Sequence, residues 1–328
     1  MKISVFGAGL SGVVSAVMLK ERGHDVEIFE TRNHIGGNCY DENMHDVMVH
    51  KYGPHIFHTS DDDVWEFLNR YTKFNQYTHR VQAYTSRGLI SIPYNKKTEQ
   101  QLGEDLSPEQ IQELIFRSYS ERHWGVKWED LPGSITGRVP TKRDNFDDRY
   151  FTDTHQGIPV DGYTKMFENM LDGIKVHTGV PRDYFKKCKC DKMIYTGKPD
   201  EFFDYFYGKL PYRSIRFEHV KSDIDNNFSW EKGAQINECN NKLYNRTIDN
   251  RVFLDQRTEH TVLSRDYPVE HDETNDPMYP KNFGEGRDIF SKYKLAINSS
   301  TNVQFIGRLA TYKYLDMWMA VKQAMTLV

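Results

Sequence analysis

The chain has only four cysteines, Cys39, Cys188, Cys190 and Cys239, and none stands in the paired C-x-x-C spacing of a zinc site. Cys188 and Cys190, one residue apart, are too close for ordinary metal pairing, so no metal is expected and the thiols read as reduced. No apolar run is long enough to span a bilayer, and mean hydropathy is −0.73. An excess of basic charge is also lacking: 43 Lys and Arg face 47 Asp and Glu, for a net charge of −4. That balance argues against nucleic acid as a partner. Met1-Lys2 runs straight into a short strand with no leader pattern. The expectation is a cytoplasmic protein with no membrane partner. Internal repeats and low-complexity segments are absent too. What the chain has in plenty is aromatic residues, 20 Tyr, 19 Phe and 5 Trp, which suit a site that stacks planar groups and equally a dense core. Its 328 residues suffice for two domains, or three subdomains about one site.

The N-terminus carries the sharpest signal. Lys2–Phe6 is a β-rich run, Gly7-Ala-Gly9-Leu-Ser-Gly12 follows at once, Val13–Arg22 reads as a helix closed by Gly23, and Val26–Phe29 is the next strand. This is the β-turn-α-β unit that binds dinucleotides. Gly7 makes the tight turn, Gly9 lets the backbone approach a pyrophosphate, and Gly12 permits close helix–sheet packing. Glu30 ends the second strand and can hydrogen-bond a ribose hydroxyl. The following residues, Glu30-Thr-Arg32-Asn-His-Ile-Gly36-Gly37, resemble the extended FAD signature of amine-oxidase-like flavoproteins, so FAD is the expected cofactor.

Further along, helices are expected over Asp61–Tyr71, from Ser107 to about Tyr119, over Asp161–Leu171, over Ile289–Ile297 and over Met317–Met325. A hairpin is expected over Tyr77–Ile92, and strands at Lys192–Tyr195 and Val303–Ile306. Tyr205–Tyr267 reads as mostly short antiparallel strands.

The remaining motifs resemble one family, the bacterial-type UDP-galactopyranose mutases. They include His50-Lys-Tyr-Gly-Pro-His-Ile-Phe-His-Thr59, Ile92-Pro-Tyr-Asn95, Tyr119-Ser-Glu-Arg-His-Trp-Gly125 and Gly137-Arg-Val-Pro140. They continue with Gln156-Gly-Ile-Pro-Val-Asp-Gly-Tyr-Thr-Lys165, Tyr244-Asn-Arg246 and Gly307-Arg-Leu-Ala-Thr-Tyr-Lys-Tyr-Leu-Asp-Met317. The resemblance implies interconversion of UDP-galactopyranose and UDP-galactofuranose by reduced FAD, whose N5 attacks the anomeric carbon with UDP as leaving group. It also implies UDP-galactose as the small-molecule substrate and a separate reductant for FAD. The alternative reaction class is an FAD-dependent amine-oxidase-type oxidoreductase.

Residue by residue, the resemblance assigns catalytic roles to Arg138, Arg246 and His55, the two arginines holding the leaving diphosphate as only a fixed, bidentate cation can. It assigns substrate contacts to Asn95, Tyr119, Trp124, Tyr150, Asn237, Tyr279 and Tyr314. On the flavin side it adds Arg32, Gly36, Gly37, Asn38, His55, Ile56, Arg308, Asp316 and Met317 to Gly7, Gly9, Gly12 and Glu30. His58 is expected near the site. A lid is expected over Glu129–Arg143, where glycines and prolines surround Arg138.

The implied fold is α/β: a Rossmann-type FAD-binding domain, a reduced helical subdomain and an antiparallel-sheet substrate domain. The expected boundaries are 1–72 with 168–200 and 295–328 for the first, 97–136 for the second, and 73–96 with 137–167 and 201–294 for the third. One departure from the family is large. Only 23 residues separate Asn95 from Tyr119, where relatives have several dozen more, and Ile115 aligns with a position that is often Phe. A monomer or an atypical homodimer is therefore expected.

Overall fold

The computed structural model describes residues 1–137 and 139–327. A five-stranded, all-parallel sheet has the order Val303–Phe305, Lys192–Tyr195, Lys2–Phe6, Asp25–Phe29, Lys175–His177. The first strand sits at its centre and is buried at Ile3, Ser4, Val5 and Phe6. Parallel strands covered on both faces read as continuous apolar runs, which is why this strand was legible. Helix Leu10–Glu21 packs behind it, with nine of its residues buried. Helix Met317–Met325 packs against that helix, so the end of the chain returns to its beginning.

The second sheet has seven strands: Tyr279–Pro280, Tyr212–Ser222, Thr261–Glu270, Arg246–Asp249, Gln235–Glu238, Val81–Thr85 and Gly88–Ile92. Neighbours are antiparallel except Gln235–Glu238 with Val81–Thr85. The expectation of mostly short strands is corrected here. Tyr212–Ser222 has 11 residues and pairs with the ten of Thr261–Glu270 along their length. The first four residues of Tyr212–Ser222 are buried, whereas the rest are half-buried or, at Arg216, Val220 and Lys221, exposed. Mixed burial along one strand breaks the two-residue alternation that would have revealed it.

The longest piece of the helical region is one continuous helix over 108–124. Pro108–Ile111 starts at Ser107 with a reciprocal capping box, continues through a π-turn stretch Gln112–Arg117, and ends as α-helix at Trp124. It therefore runs five residues past the expected Tyr119. The extension has a cause: buried Arg213 donates from Nε to the His123 carbonyl at 2.8 Å and from Nη2 to the Arg122 carbonyl at 2.9 Å. These are carbonyls that a helix end leaves without partners. Gly125 then turns the chain at φ +67°, where a Cβ would lie 2.7 Å from Arg213 Nη1. The helix's Ile111 and Ile115 pack on the inner sheet residues Val81, Ala83, Ile90 and Ile92.

Candidate active site

Two cavities meet at a common wall. The first lies at the C-terminal end of the parallel sheet, at the N-terminus of helix Leu10–Glu21. Gly9 is the helix N-cap and supplies no side chain to cover the free N–H groups, which suits an anionic group. A Cβ on Gly12 would lie 1.9 Å from the Gly7 carbonyl oxygen, and one on Gly37 would lie 2.8 Å from Gly9 Cα. The two loops thus approach so closely that only glycine fits, leaving bare backbone facing the cavity. Glu30 is buried, accepting at Oε2 from the Ala8 N–H (2.7 Å) and at Oε1 from the Arg32 N–H (2.8 Å). Its carboxylate therefore also braces the glycine turn. Arg32 donates from Nη2 to Asn38 Oδ1 at 3.0 Å, and its guanidinium carbon lies 4.3 Å from the Tyr52 ring centroid. Its Nη1 is buried with no partner among the described residues. The glycine cradle, the uncapped helix start and that orphaned donor fit a dinucleotide such as FAD. Gly7, Gly9, Gly12, Glu30, Arg32, Gly36, Gly37, Asn38, His55, Arg308, Asp316 and Met317 all line this cavity. Ile56 lines the second cavity instead.

His55, Arg308, Leu315, Asp316 and Met317 line both cavities and form the wall between them. His55 Nδ1 is 2.8 Å from the Gly53 carbonyl oxygen, which can only accept, so Nδ1 carries the proton and Nε2 is an acceptor. Burial lowers the His55 pKa to about 3, helped by neighbouring His50, so the ring is neutral at working pH. Arg308 is fastened through Nε and Nη2 to the Leu315 carbonyl, at 3.2 and 2.6 Å. Its guanidinium carbon lies 5.2 and 5.0 Å from the ring centroids of Tyr279 and Tyr314, which stack on each other 5.5 Å apart.

The second cavity, about 860 Å³, sits between the inner face of the seven-stranded sheet and the helix over 108–124. Arg246, at the start of a strand, lines it and is paired through Nε with Asp266 Oδ2 at 2.7 Å. The Asp266 side chain is 0% exposed and that of Arg246 15%. Burial pulls the Arg246 pKa down, but Asp266 and the phenols of Tyr119, Tyr279 and Tyr314 more than offset it. The guanidinium stays charged. Burial pushes the Tyr119 and Tyr279 phenols up, so both remain protonated donors. A held cation beside hydroxyl donors in a partly desolvated cleft is an arrangement that can receive an anionic group. Trp124 closes the end of the cluster, 6.3 Å from both the Tyr279 and Tyr314 ring centroids. Tyr150, Asn237 and His58 also line the cleft. Asn237 Oδ1 accepts from Gln235 Nε2 at 2.7 Å, and His58 Nδ1 is paired with Asp153 Oδ2 at 2.9 Å.

Asn95 is not in the cleft, which corrects its assignment as a substrate contact. It is fully buried as the N-cap of helix Lys96–Leu102; Oδ1 accepts from the Lys97 and Thr98 N–H groups, and Nδ2 donates to the Pro93 and Asp147 carbonyls. Its hydrogen-bonding capacity is spent on the chain's own backbone. Arg138 lies outside the described residues, although Thr136, Val139 and Pro140 on either side of it line the cleft. Sequence reasoning missed His79, Gln235 and Lys313 in the cleft and Thr196, Arg182 and Asp276 in the first cavity. His79 had no motif to mark it; it is buried, with Nδ1 3.2 Å from the Tyr77 hydroxyl, and burial lowers its pKa to about 3. Lys313 stood inside a quoted motif, between residues that were assigned.

Comparison with known proteins agrees with this geometry. The family model for UDP-galactopyranose mutase matches residues 114–314, and a NAD(P)-binding Rossmann-like domain matches residues 5–71. The chain is 34% identical to a probable UDP-galactopyranose mutase of Klebsiella pneumoniae, covering 98% of this chain and 92% of that protein. It is 33% identical to a dTDP-fucopyranose mutase of Escherichia coli, covering 98% and 96%. A crystal structure of reduced UDP-galactopyranose mutase superposes with a TM-score of 0.76 at 14% identity, covering 99% of this chain and 94% of that one. The α/β fold and the Rossmann-type domain inferred from the sequence accord with these matches. The chain is an isomerase and belongs to the UDP-galactopyranose mutase family.

Proposed function

We propose that the protein interconverts the pyranose and furanose forms of a nucleoside-diphosphate hexose, with UDP-galactose as the substrate and FAD in its reduced form as the cofactor. The observation that carries this reading is the buried Arg246–Asp266 pair in a cleft whose inner wall, His55, Arg308, Leu315, Asp316 and Met317, is also the wall of the dinucleotide cavity. Reduced FAD in the first cavity would supply N5 as the nucleophile toward the anomeric carbon, with UDP as leaving group. The rest falls to the protein. Arg246, with Arg138, balances the charge of the departing diphosphate; Tyr119, Tyr279 and Tyr314 donate to its oxygens; and Asp266 keeps Arg246 from turning away. His55 offers a neutral acceptor at the shared wall and is not required as a general base. Trp124, Tyr150 and Asn237 line the remainder of the substrate cleft.

An amine oxidase would have no need of a cation buried against a carboxylate in its substrate cleft, so the oxidoreductase alternative lacks a role for Arg246. A second donor is favoured by a specific observation: the relative 33% identical over nearly the whole chain is named for dTDP-fucopyranose. The three-part organisation given above, the cytoplasmic setting and a monomer or atypical homodimer remain part of this proposal. The test supplies UDP-galactofuranose, and separately dTDP-fucofuranose, to dithionite-reduced protein and separates the products by chromatography. Pyranose formation only with reduced flavin supports the reading; no conversion of either donor by flavin-loaded protein overturns it.

A further inference from the structure

Segment 271–278 joins strand Thr261–Glu270 to strand Tyr279–Pro280 of the large sheet, yet Asp276, Pro277 and Met278 line the dinucleotide cavity. The segment is held at both ends. The Asp276 carbonyl accepts from Ser214 Oγ at 2.6 Å, the Met278 N–H donates to the Arg213 carbonyl at 2.9 Å, and Asn275 Nδ2 donates to the Glu270 carbonyl at 3.0 Å. What crosses to the other side of the cavity is the Asp276 side chain. Its Oδ2 accepts from Arg32 Nε at 3.0 Å and lies 2.9 Å from Arg32 Nη2. Its Oδ1 lies 3.5 Å from Arg182 Nη2. The two arginines come from different connections, one following strand Asp25–Phe29 and the other following strand Lys175–His177, and both line the cavity. One carboxylate therefore ties two edges of the cavity to a strap anchored on the other sheet. The Arg32 and Asp276 side chains are only 17% and 34% exposed, so solvent screens this pair incompletely.

We propose that Asp276 is a cofactor-retaining latch: its ion pairs with Arg32 and Arg182 hold segment 271–278 across the mouth of the cavity, so that bound FAD leaves only after they break. The inference rests on the reading that this cavity holds FAD. The carboxylate is not needed to form the cavity floor, which the glycine turn and Glu30 build. Its loss is therefore expected to change how fast the flavin leaves more than whether the protein folds.

The experiment follows FAD fluorescence recovering on dilution of flavin-loaded protein at low salt and at 1 M NaCl, where the screening length falls to about 3 Å. For wild type, high salt should speed release about threefold, less than removal of the carboxylate does, because a partly buried pair is only partly screened. Asp276→Asn should release about tenfold faster at low salt and respond little to further salt; Asp276→Glu should recover most of the wild-type behaviour. Arg182→Ala combined with Asp276→Asn should be no faster than Asp276→Asn alone. Melting temperatures of the flavin-free proteins separate a latch from general damage. Release by Asp276→Asn within twofold of wild type, or equal salt acceleration in both, overturns the latch. Wild type that retains no flavin at all overturns the cofactor assignment itself.

Discussion

The Arg246–Asp266 pair offers the most demanding test of the site. The perturbation is Arg246→Ala, set beside Asp266→Asn. At a 2.7 Å separation, unit charges in a medium of effective dielectric 20 attract by roughly 6 kcal/mol before desolvation is subtracted. Removing one partner of a buried pair leaves the other uncompensated and costs about 3–5 kcal/mol. In Arg246→Ala the orphan is Asp266, 0% exposed, whose pKa burial already pushes up against the opposition of Arg246. Without the arginine it should rise further. A carboxyl whose folded pKa lies above its unfolded value contributes stability below the unfolded pKa and loses it as pH rises through the folded one. The destabilisation of Arg246→Ala relative to wild type should thus be larger at pH 7 than at pH 5. Asp266→Asn leaves a buried cation that cannot discharge in this range, so its penalty should be nearly flat with pH. Activity adds a second axis: Arg246→Ala should lower kcat/KM by about 10²–10³ through lost stabilisation of the leaving diphosphate, with FAD content unchanged. The assays are urea unfolding at both pH values and turnover of UDP-galactofuranose by reduced protein. A stability change under about 1 kcal/mol in both variants, or activity of Arg246→Ala within threefold of wild type, would refute the reasoning.

Other outcomes are expected elsewhere. His50 and His79 are 3% and 2% exposed and burial lowers each pKa to about 3, so both fold in the neutral form. Stability they contribute above the unfolded value near 6.5 is lost as pH falls, together about 4 kcal/mol between pH 7 and pH 5; replacing His79 with Gln should reduce that slope in chemical denaturation, and an unchanged slope would contradict it. Asn95→Ala should cost about 1–2 kcal/mol through the lost helix cap, yet leave kcat/KM within about threefold; a selective rise in KM without destabilisation would restore Asn95 as a substrate contact. Glu30→Ala leaves the Ala8 and Arg32 N–H groups without their partner, so flavin content after gel filtration should fall sharply; full occupancy would show the carboxylate is not needed. Arg138→Ala should lower turnover about 10²–10³ with FAD content intact, read by the same chromatographic assay.

The parts of this protein that could be read from its sequence are those where local chemistry dictates geometry. Gly12 stands where backbone must approach backbone, and Gly7 turns the chain at φ +107° with a would-be Cβ 2.0 Å from Thr196 Oγ1, so only glycine fits at either position. The Ser107 capping box and the buried run Ile3–Phe6 similarly carry their structure within a few residues. The cleft residues named from motifs also lie together, because those motifs mark whole segments of its lining. Asn95 shows the limit of such matching. An Asn before a helix satisfies a cap or a ligand equally well in sequence, and only the burial of its side chain among four backbone partners decides between them.

What the sequence by itself determined is the dinucleotide turn, the order of strands and helices around it, and the chemical types present in the cleft. What only the tertiary structure decided is which distant residues meet. Asp266 is twenty residues from Arg246 and belongs to the neighbouring strand, where antiparallel register sets them opposite each other. Arg213 caps a helix about ninety residues away, and Asp276 reaches Arg32 across 244 positions. Such pairs have no local signature, because each partner's own neighbourhood would accept many residues. Their energy arises from burying two charges or dipoles together, and that exists only once the sheets have brought them out of water.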